Sequence, residues 1–302
     1  MQCGAISIRR AQSAMEYLMT YGWAILIIAV VLAALFSLGV FNTANLGPRA
    51  QPGSCHVFRP GGPGTNTNVN LEGICNGELP EYVAGFNGQN ASVNLNVTKI
   101  PIGASARTVV AWFYATAQPP SSNQDSIFAY GTANSCDQTF WVSVTSPSNT
   151  CDGGQIFIDN WCTCQAFPGF TSLTTRKWYF VADEYNGTNQ IGYLGDGGNL
   201  VSVHTAVSIN TGSSPFYIGY WTVRQYFNGS IANVQVYNSS LSSNEISLLY
   251  QEGVGGTPID LQNLVGWWPL NGNAQDYSGN NNNGEATNVI FTSQWTGGYS
   301  VP

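Results

Sequence analysis

The stretch from Tyr17 to Leu46 carries no charged residue, and this constrains the chain more than any other feature. Its core runs without interruption from Ala24 through Ile25, Leu26, Ile27 and Ile28 to Phe41. A helix that spans a bilayer needs about 20 mostly apolar residues, so the run is long enough. Tyr17, Tyr21 and Trp23 cluster at one end, where amphipathic rings favour the headgroup level. Arg9 and Arg10 come just before them, which predicts a cytoplasmic N-terminus and an external remainder. Gly47-Pro48 ends the helix. A plain signal anchor satisfies these observations. A secretory signal fits less well, because its apolar region is only about 7–15 residues long.

One detail goes beyond hydrophobicity. Gln12-Ser-Ala-Met-Glu16-Tyr-Leu follows Arg9-Arg10-Ala11 directly. A carboxylate at the mouth of an apolar helix is costly without a partner. The stretch resembles the class III signal peptide of archaeal type IV pilin-like proteins, with a short basic leader, a Gln-Ser-Ala-x-Glu-Tyr-Leu motif and a long apolar helix. The resemblance covers about residues 9–41. It implies a leader at 1–11, cleaved by a prepilin peptidase between Ala11 and Gln12 with Arg10 in the recognised segment, and a pilin helix at 12–46. Cleavage would leave a positive amine on Gln12. In a homo- or hetero-oligomeric filament that amine could pair with Glu16 of a neighbouring subunit, an ion pair that matters for register more than for net stability. The implied location is a membrane-inserted precursor and then an extracellular filament. The alternative is a monomeric surface lectin held by an uncleaved anchor.

Only 8% of residues are charged, and the net charge is −7. Nucleic acid is excluded as a partner, since phosphates call for basic patches. Of seven cysteines, Cys3 falls in the leader, which leaves Cys55, Cys75, Cys136, Cys151, Cys162 and Cys164 outside. An even external set predicts three disulfides. Cys55 and Cys75 form an early pair in a linker over 47–80. Nested pairing across a hairpin suits the other four, although spacing leaves the connectivity open. A zinc site is the competing reading, but Cys162-Thr-Cys164 is not the usual ligand spacing. Sequons at Asn90, Asn96, Asn186, Asn228 and Asn238 also lie on the external side.

Beyond Pro48 the chain becomes short apolar alternations broken by turns. Strands are predicted over 108–114, 139–144, 155–159, 178–182, 190–194, 215–219 and 230–237, which suggests a β-sandwich. Leu241 to Tyr250 is predicted helical, capped by Ser242 or Ser243 with Glu245 in the first turn. Gly229-Ser-Ile-Ala-Asn-Val-Gln-Val-Tyr-Asn238 with Leu241, Glu245-Ile and Leu249-Tyr250 resembles the closing signature of the LamG, or concanavalin A-like, jelly-roll family. Lys177-Trp-Tyr-Phe-Val-Ala and the segment 81–95 match its earlier parts. The expected fold is therefore an N-terminal hydrophobic α-helix followed by an all-β jelly-roll sandwich over 81–302. Leu264-Val-Gly-Trp-Trp-Pro-Leu and Asp276-Tyr-Ser-Gly resemble the family's opening segment, yet they come last. A circular permutation or a truncated second repeat accounts for that order, and permutation is preferred because each segment occurs once.

No catalytic residue is expected. Glycosidases need two carboxylates facing one sugar bond, and in a strand Asp183 and Glu184 point to opposite faces. His204 is expected to be an ordinary strand residue. The resemblance implies no required cofactor, with calcium as the one candidate ion. Asp276 matches the family's calcium-associated turn, and Asn233 stands where an acidic ligand is usual; an Asx-turn is the other reading of Asp276. A carbohydrate ligand is the family's common partner, and Trp161, Trp221 and Tyr226 are the aromatic residues expected to be exposed for stacking.

Overall fold

The computed structural model describes residues 21–33, 55–58, 67–69 and 79–302, except 121–123, 149, 151–153, 171 and 223–224. The chain forms two compact units, Met1–Arg49 and Ala50–Pro302. In the first, residues 21–33 form helix α1. Its large apolar side chains are exposed all round, from Leu32 at 43% to Trp23 at 67%. Among the described residues no helix is long and apolar enough to cross a membrane. The rest of the expected 12–46 helix lies outside the described residues, as do Arg10, Ala11, Gln12 and Glu16.

The second unit is built from strands β1 (Cys55–Phe58), β2 (Thr67–Val69), β3 (Leu79–Pro80), β4 (Val83–Asn87), β5 (Ser92–Leu95), β6 (Arg107–Ala115), β7 (Gln124–Gly131), β8 (Thr139–Thr145), β9 (Ile156–Asp159), β10 (Cys164–Ala166), β11 (Trp178–Tyr185), β12 (Asn189–Gly195), β13 (Leu200–Ala206), β14 (Phe216–Ile218), β15 (Tyr220–Trp221), β16 (Gln225–Tyr226) and β17 (Asn228–Tyr237). Helix α2 (Ser243–Gln251) follows, then β18 (Leu264–Trp268), β19 (Gly284–Thr287) and β20 (Ile290–Thr292). Two sheets face each other. One has the order β10-β9-β8-β7-β14-β5-β19. The other runs β13-β12-β11-β6-β17-β4-β20, with β18 also on β17. A small sheet, β2-β1-β3, precedes them. The all-β sandwich expected from the alternation is present, and every strand predicted from it is found within two or three residues.

Period-2 alternation sorts each strand between two environments. In β8, Phe140, Val142 and Val144 enter the core between the sheets. In β11, Tyr179, Val181 and Tyr185 do the same, while Trp178, Phe180 and Ala182 face the other way. That second face is covered. Tyr250 of α2 stacks on Trp112 at 5.9 Å, Tyr299 meets the same ring edge-on, and Trp295 packs on Trp178. Trp178 Nε1 donates to the Trp295 carbonyl at 2.9 Å. Gly195 is required beneath α2, because a Cβ there would lie 2.4 Å from the Tyr250 ring. The helix starts as predicted: Ser242 is its N-cap, and Ser242 N donates to Glu245 Oε2 at 2.7 Å in a capping box.

The last segments belong to the same sandwich. β17 carries β4 along Asn228–Ile231 and β18 along Val234–Tyr237, with a bulge between. β19 pairs with β5, and β20 with β4. Trp268 is fully buried in the core, stacked on Phe216, with its indole N–H donated to the Asn282 carbonyl at 2.9 Å.

A guanidinium sits inside this core. Arg107 has no exposed surface. Its Nε donates to the Ser105 carbonyl, Nη2 to that of Gly103, and Nη1 to that of Pro101, to the Tyr130 hydroxyl and to Thr211 Oγ1. The rings of Phe140 and Tyr185 lie 5.4 and 5.5 Å from its Cζ. A buried charge is tolerable only when its donors are satisfied in this way. An acceptor left unpaired in a core costs about 1–3 kcal/mol. Arg107→Met orphans several at once and should lower domain stability by about 3 kcal/mol or more, read by urea unfolding through tryptophan fluorescence. A loss below about 1 kcal/mol would show that the network is dispensable.

Candidate functional site

Among the described residues no helix packs on the outer face of the seven-stranded sheet, yet β7, β8 and β9 are buried along almost their whole length, with the β15–β16 hairpin packed there. One lateral row crosses the sheet in continuous register: Cys164, Asp159, Trp141, Ala129, Tyr217, Asn94 and Glu285, one residue from each strand from β10 to β19. A second row places Phe157, Ser143 and Ser126 side by side. The hairpin β15–β16 lies against β7, with Gln225 Nε2 donating to Gln124 Oε1 at 3.3 Å. Trp221 from that hairpin packs with Trp141 and Ala129 in a small apolar cluster, joined by Trp161 and Tyr217.

This face collects orphaned polar atoms. Among the described residues six buried side-chain atoms lack a hydrogen-bond partner: Ser126 Oγ, Ser143 Oγ, Trp141 Nε1, Trp221 Nε1, Asn160 Nδ2 and Thr205 Oγ1. All but the last belong to this region. Buried polar groups are almost always paired with protein or ordered water, and these atoms lie beneath the surface rather than on it.

Aromatic rings stand beside those atoms. Trp161 is half-buried and stacks on Trp141, with centroids 6.1 Å apart. Its backbone is held at φ +87°, a left-handed value for a residue other than glycine. Local bonds impose it: Trp161 N donates to Asp159 Oδ1, and Cys162 N and Thr163 N donate to Asn160 Oδ1. The Cys136–Cys162 disulfide, with Cα atoms 4.9 Å apart, secures the same turn. At the other side Tyr220 and Tyr226, both half-buried, stack at 4.6 Å, and Tyr217 meets Tyr220 edge-on at 5.5 Å. Trp161 and Tyr226 therefore stand as the sequence suggests. Trp221 does not; it is 4% exposed and packs down onto Trp141 and Ala129, because hairpin alternation turns it toward the sheet.

Burial pushes the Asp159 carboxyl up to about 6, against the N–H groups of Trp161 and Asn160, which favour its charged form. The other carboxylate of the row, Glu285, stands five strands away, about 24 Å at roughly 4.8 Å per strand. A glycosidase pair needs about 5–10 Å. Asp183 and Glu184 point apart as expected: Asp183 faces the core and accepts from Gln190 Nε2, whereas Glu184 accepts from Ser240 and Tyr193 on the opposite side. His204 lies in β13, as expected.

The two calcium candidates are each held by hydrogen bonds within the protein. Asp276 Oδ1 accepts from Trp267 N and Ser278 N, and Oδ2 accepts from Asn282 N, so the carboxylate organises its own turn. Asn233, at φ +51° in the β17 bulge, accepts from Trp267 Nε1 and Gln235 Nε2 and donates to the Gly256 carbonyl. Both residues have their oxygens turned to N–H donors, an environment unlike an oxygen cage. No cluster of three or more His, Cys, Asp or Glu able to hold a metal occurs among the described residues.

The cysteine pairing differs from the nested expectation. Cys136 takes Cys162, not Cys164, because the turn that carries Cys136 lies beside the β9–β10 turn, where Asp137 N donates to the Asn160 carbonyl at 2.9 Å. Cys164 is also disulfide-bonded. Cys75 and Cys151 lie outside the described residues, and Cys55 is described only as part of β1. Of the sequon asparagines, Asn90, Asn96, Asn186 and Asn238 are exposed, and Asn228 is half-buried against Gly88.

With this geometry established, comparison with known proteins defines the class. Residues 87–247, more than half of the chain, match the concanavalin A-like lectin/glucanases superfamily, and the chain belongs to that family. A protein of Bacteroides ovatus proposed to bind carbohydrate shares the fold at 15% identity and a TM-score of 0.52, over 71% of this chain and 60% of that one. This chain thus spans less than two thirds of that protein. The heptameric SAP-like pentraxin of Limulus polyphemus aligns at 15% identity and a TM-score of 0.47, over 70% of this chain and 94% of its own. No curated protein matches the chain in sequence.

Two outcomes test the face. Ser143→Ala removes an unpaired hydroxyl and should leave the domain as stable or about 1 kcal/mol more stable in urea, since nothing in the protein loses a partner. A clear loss of stability would mean the hydroxyl is already satisfied. For Asp159 the folded pKa lies above the unfolded one, so its contribution is fully present below about pH 4 and is lost as pH rises toward about 6. Asp159→Asn should match wild type at pH 4 and exceed it by up to about 3 kcal/mol at pH 8. Identical pH profiles would refute the burial of that carboxyl.

Proposed function

We propose that this chain is a subunit of a type IV pilus-like surface filament whose jelly-roll domain recognises carbohydrate without cleaving it. The observation that carries the recognition half is the group of half-buried rings, Trp161, Tyr217, Tyr220 and Tyr226, at the outer face of the seven-stranded sheet. Sugars present an apolar ring face that can stack on such rings. The wide separation of Asp159 and Glu285 speaks against hydrolysis on this face. No cofactor is required in this reading, and the N–H-filled oxygens of Asp276 and Asn233 give calcium no support.

The filament half rests on the Gln12-Ser-Ala-Met-Glu16-Tyr-Leu motif after Arg9-Arg10-Ala11, with the prepilin peptidase and the membrane as its first partners. Helix α1 supports it, because a helix that is apolar all round belongs in lipid or among other helices. In the filament Glu16 would meet the Gln12 amine of a neighbour. The external domain would be closed by three disulfides and carry glycan on exposed sequons. Its segment order is that of a circular permutation, supported by the pairing of β18, β19 and β20 with β17, β5 and β4.

Intact mass and N-terminal sequencing of protein from membranes and from sheared surface material test the first half. The expected N-terminus is Gln12, with protein in the sheared fraction. Met1, found only in membranes, would overturn the filament and leave an anchored monomeric lectin. A glycan array probed with the recovered protein tests the second half. Absence of binding to any glycan would sink the recognition reading.

A further inference from the structure

Resting on the reading of the domain as external and glycosylated, we propose that Asn186 is the sequon that takes the N-linked glycan, attached to the folded domain at the tip of the β11–β12 hairpin. The motif calls for a hydroxyl two residues after the asparagine, so a transferring enzyme must reach the carboxamide and that hydroxyl together. The five sequons differ in whether the fold leaves both within reach.

Asn186-Gly187-Thr188 forms the turn between β11 and β12, with Asn186 and Thr188 both exposed. Asn186 Oδ1 accepts from Thr188 N at 3.1 Å, Thr188 Oγ1 at 3.0 Å and Asn189 N at 2.9 Å, an Asx-turn that draws the two ends of the sequon together. The partners of the Thr188 hydroxyl, Asn186 Oδ1 and Asn189 Nδ2, lie in the same exposed turn. Asn186 Nδ2 donates to no group among the described residues. The middle residue is Gly187 at φ +100°, so no side chain stands between amide and hydroxyl. The turn is held from beneath: the Tyr185 hydroxyl donates to the Gly187 carbonyl at 2.9 Å, and Val207 N donates to that of Thr188 at 3.1 Å.

The other four sequons are tied into the sandwich. Asn228 is half-buried inside β17, and Gly229 has no room for even a Cβ beside the Tyr114 carbonyl. Asn90 precedes Ala91, which has no exposed surface, and Ser92 is paired with Thr287 in the sheet. In Asn96-Val97-Thr98 the middle side chain is in the core, and the hydroxyl donates outside the sequon to Asn282 Oδ1 at 2.9 Å. In Asn238-Ser239-Ser240 the hydroxyl of Ser240 donates to Glu184, itself buried.

The reaction is glycosyl transfer from a phosphate-linked sugar donor. Asn186 Nδ2 forms a bond to the anomeric carbon as that carbon's bond to the phosphate oxygen breaks. The phosphate leaves with the electron pair, and one amide proton passes to a base of the enzyme.

The experiment is glycopeptide mass spectrometry of the full chain recovered from the cell surface. Cleavage after aromatic residues suits it, because Tyr185 and Tyr193 release Asn186 within residues 186–193, and Phe227 and Tyr237 release Asn228 within 228–237. The expected result is a glycan on 186–193 and none on 228–237. Thr188→Ala should abolish the modification and Thr188→Ser retain it, with circular dichroism confirming that both variants fold. An unmodified Asn186 beside a modified sequon elsewhere would overturn the inference while leaving a glycosylated external domain. So would equal modification of Asn228, which would show attachment before folding. Equal modification in Thr188→Ala and wild type would also overturn it. Absence of glycan from every sequon would remove the glycosylated reading of the domain, and this inference with it.

Discussion

The buried guanidinium of Arg107 is the constraint on which the rest of the sandwich depends. It enters the core at the start of β6 and draws together the carbonyls of Pro101, Gly103 and Ser105, the hydroxyls of Tyr130 and Thr211, and the rings of Phe140 and Tyr185. These groups come from both sheets, from the loop between β5 and β6 and, for Thr211, from the loop between β13 and β14. An always-charged group cannot relieve its burial by losing a proton, so the surrounding acceptors must hold their places. Tyr130 is fixed further, since its hydroxyl also donates to the Pro101 carbonyl, and burial pushes its pKa up to about 12.

That fixation reaches the candidate site through the geometry of strands. Tyr130 and Phe140 point into the core, and their chain neighbours Ala129 and Trp141 point out of it. Holding the inner residues holds the outer row in register. The two outer faces then have different fates. The face of the eight-stranded sheet is sealed by α2, Trp295 and Tyr299, with their polar tips satisfied: Trp295 Nε1 donates to the Pro80 carbonyl and Val254 N to the Tyr299 hydroxyl. The face of the seven-stranded sheet carries rings of the same kind, but its indole N–H groups and serine hydroxyls have no such partners.

Much of the architecture was legible in the chain. Thr139-Phe-Trp-Val-Ser-Val144 alternates cleanly, and the same alternation that buries Phe140 and Val142 already puts Trp141 and Ser143 together on the opposite face. The cap Ser242 and its partner Glu245 were legible because a capping box is a contact between near neighbours. The site as a whole was not legible. Asp159, Trp141, Ala129 and Tyr217 meet only through the pairing of β9, β8, β7 and β14, and β14 reaches β7 from far along the chain. Trp221 misled because exposure was assigned by residue type, whereas the face of a two-residue strand is set by the hairpin. Asp276 and Asn233 matched positions of a resemblance, yet only their hydrogen bonds reveal that N–H groups already occupy their oxygens.

By itself the sequence determined the apolar, uncharged N-terminal run, the alternation that makes strands, the turns between them and the start of α2, because each depends on residues close together in the chain. Tertiary structure alone decided which strands are neighbours, that Cys136 bonds Cys162, that β18 to β20 complete the sheets of the same domain, and where the half-buried aromatic rings gather. Those outcomes depend on long-range register and on competition for a limited number of hydrogen-bond partners, quantities that no local pattern of residues contains.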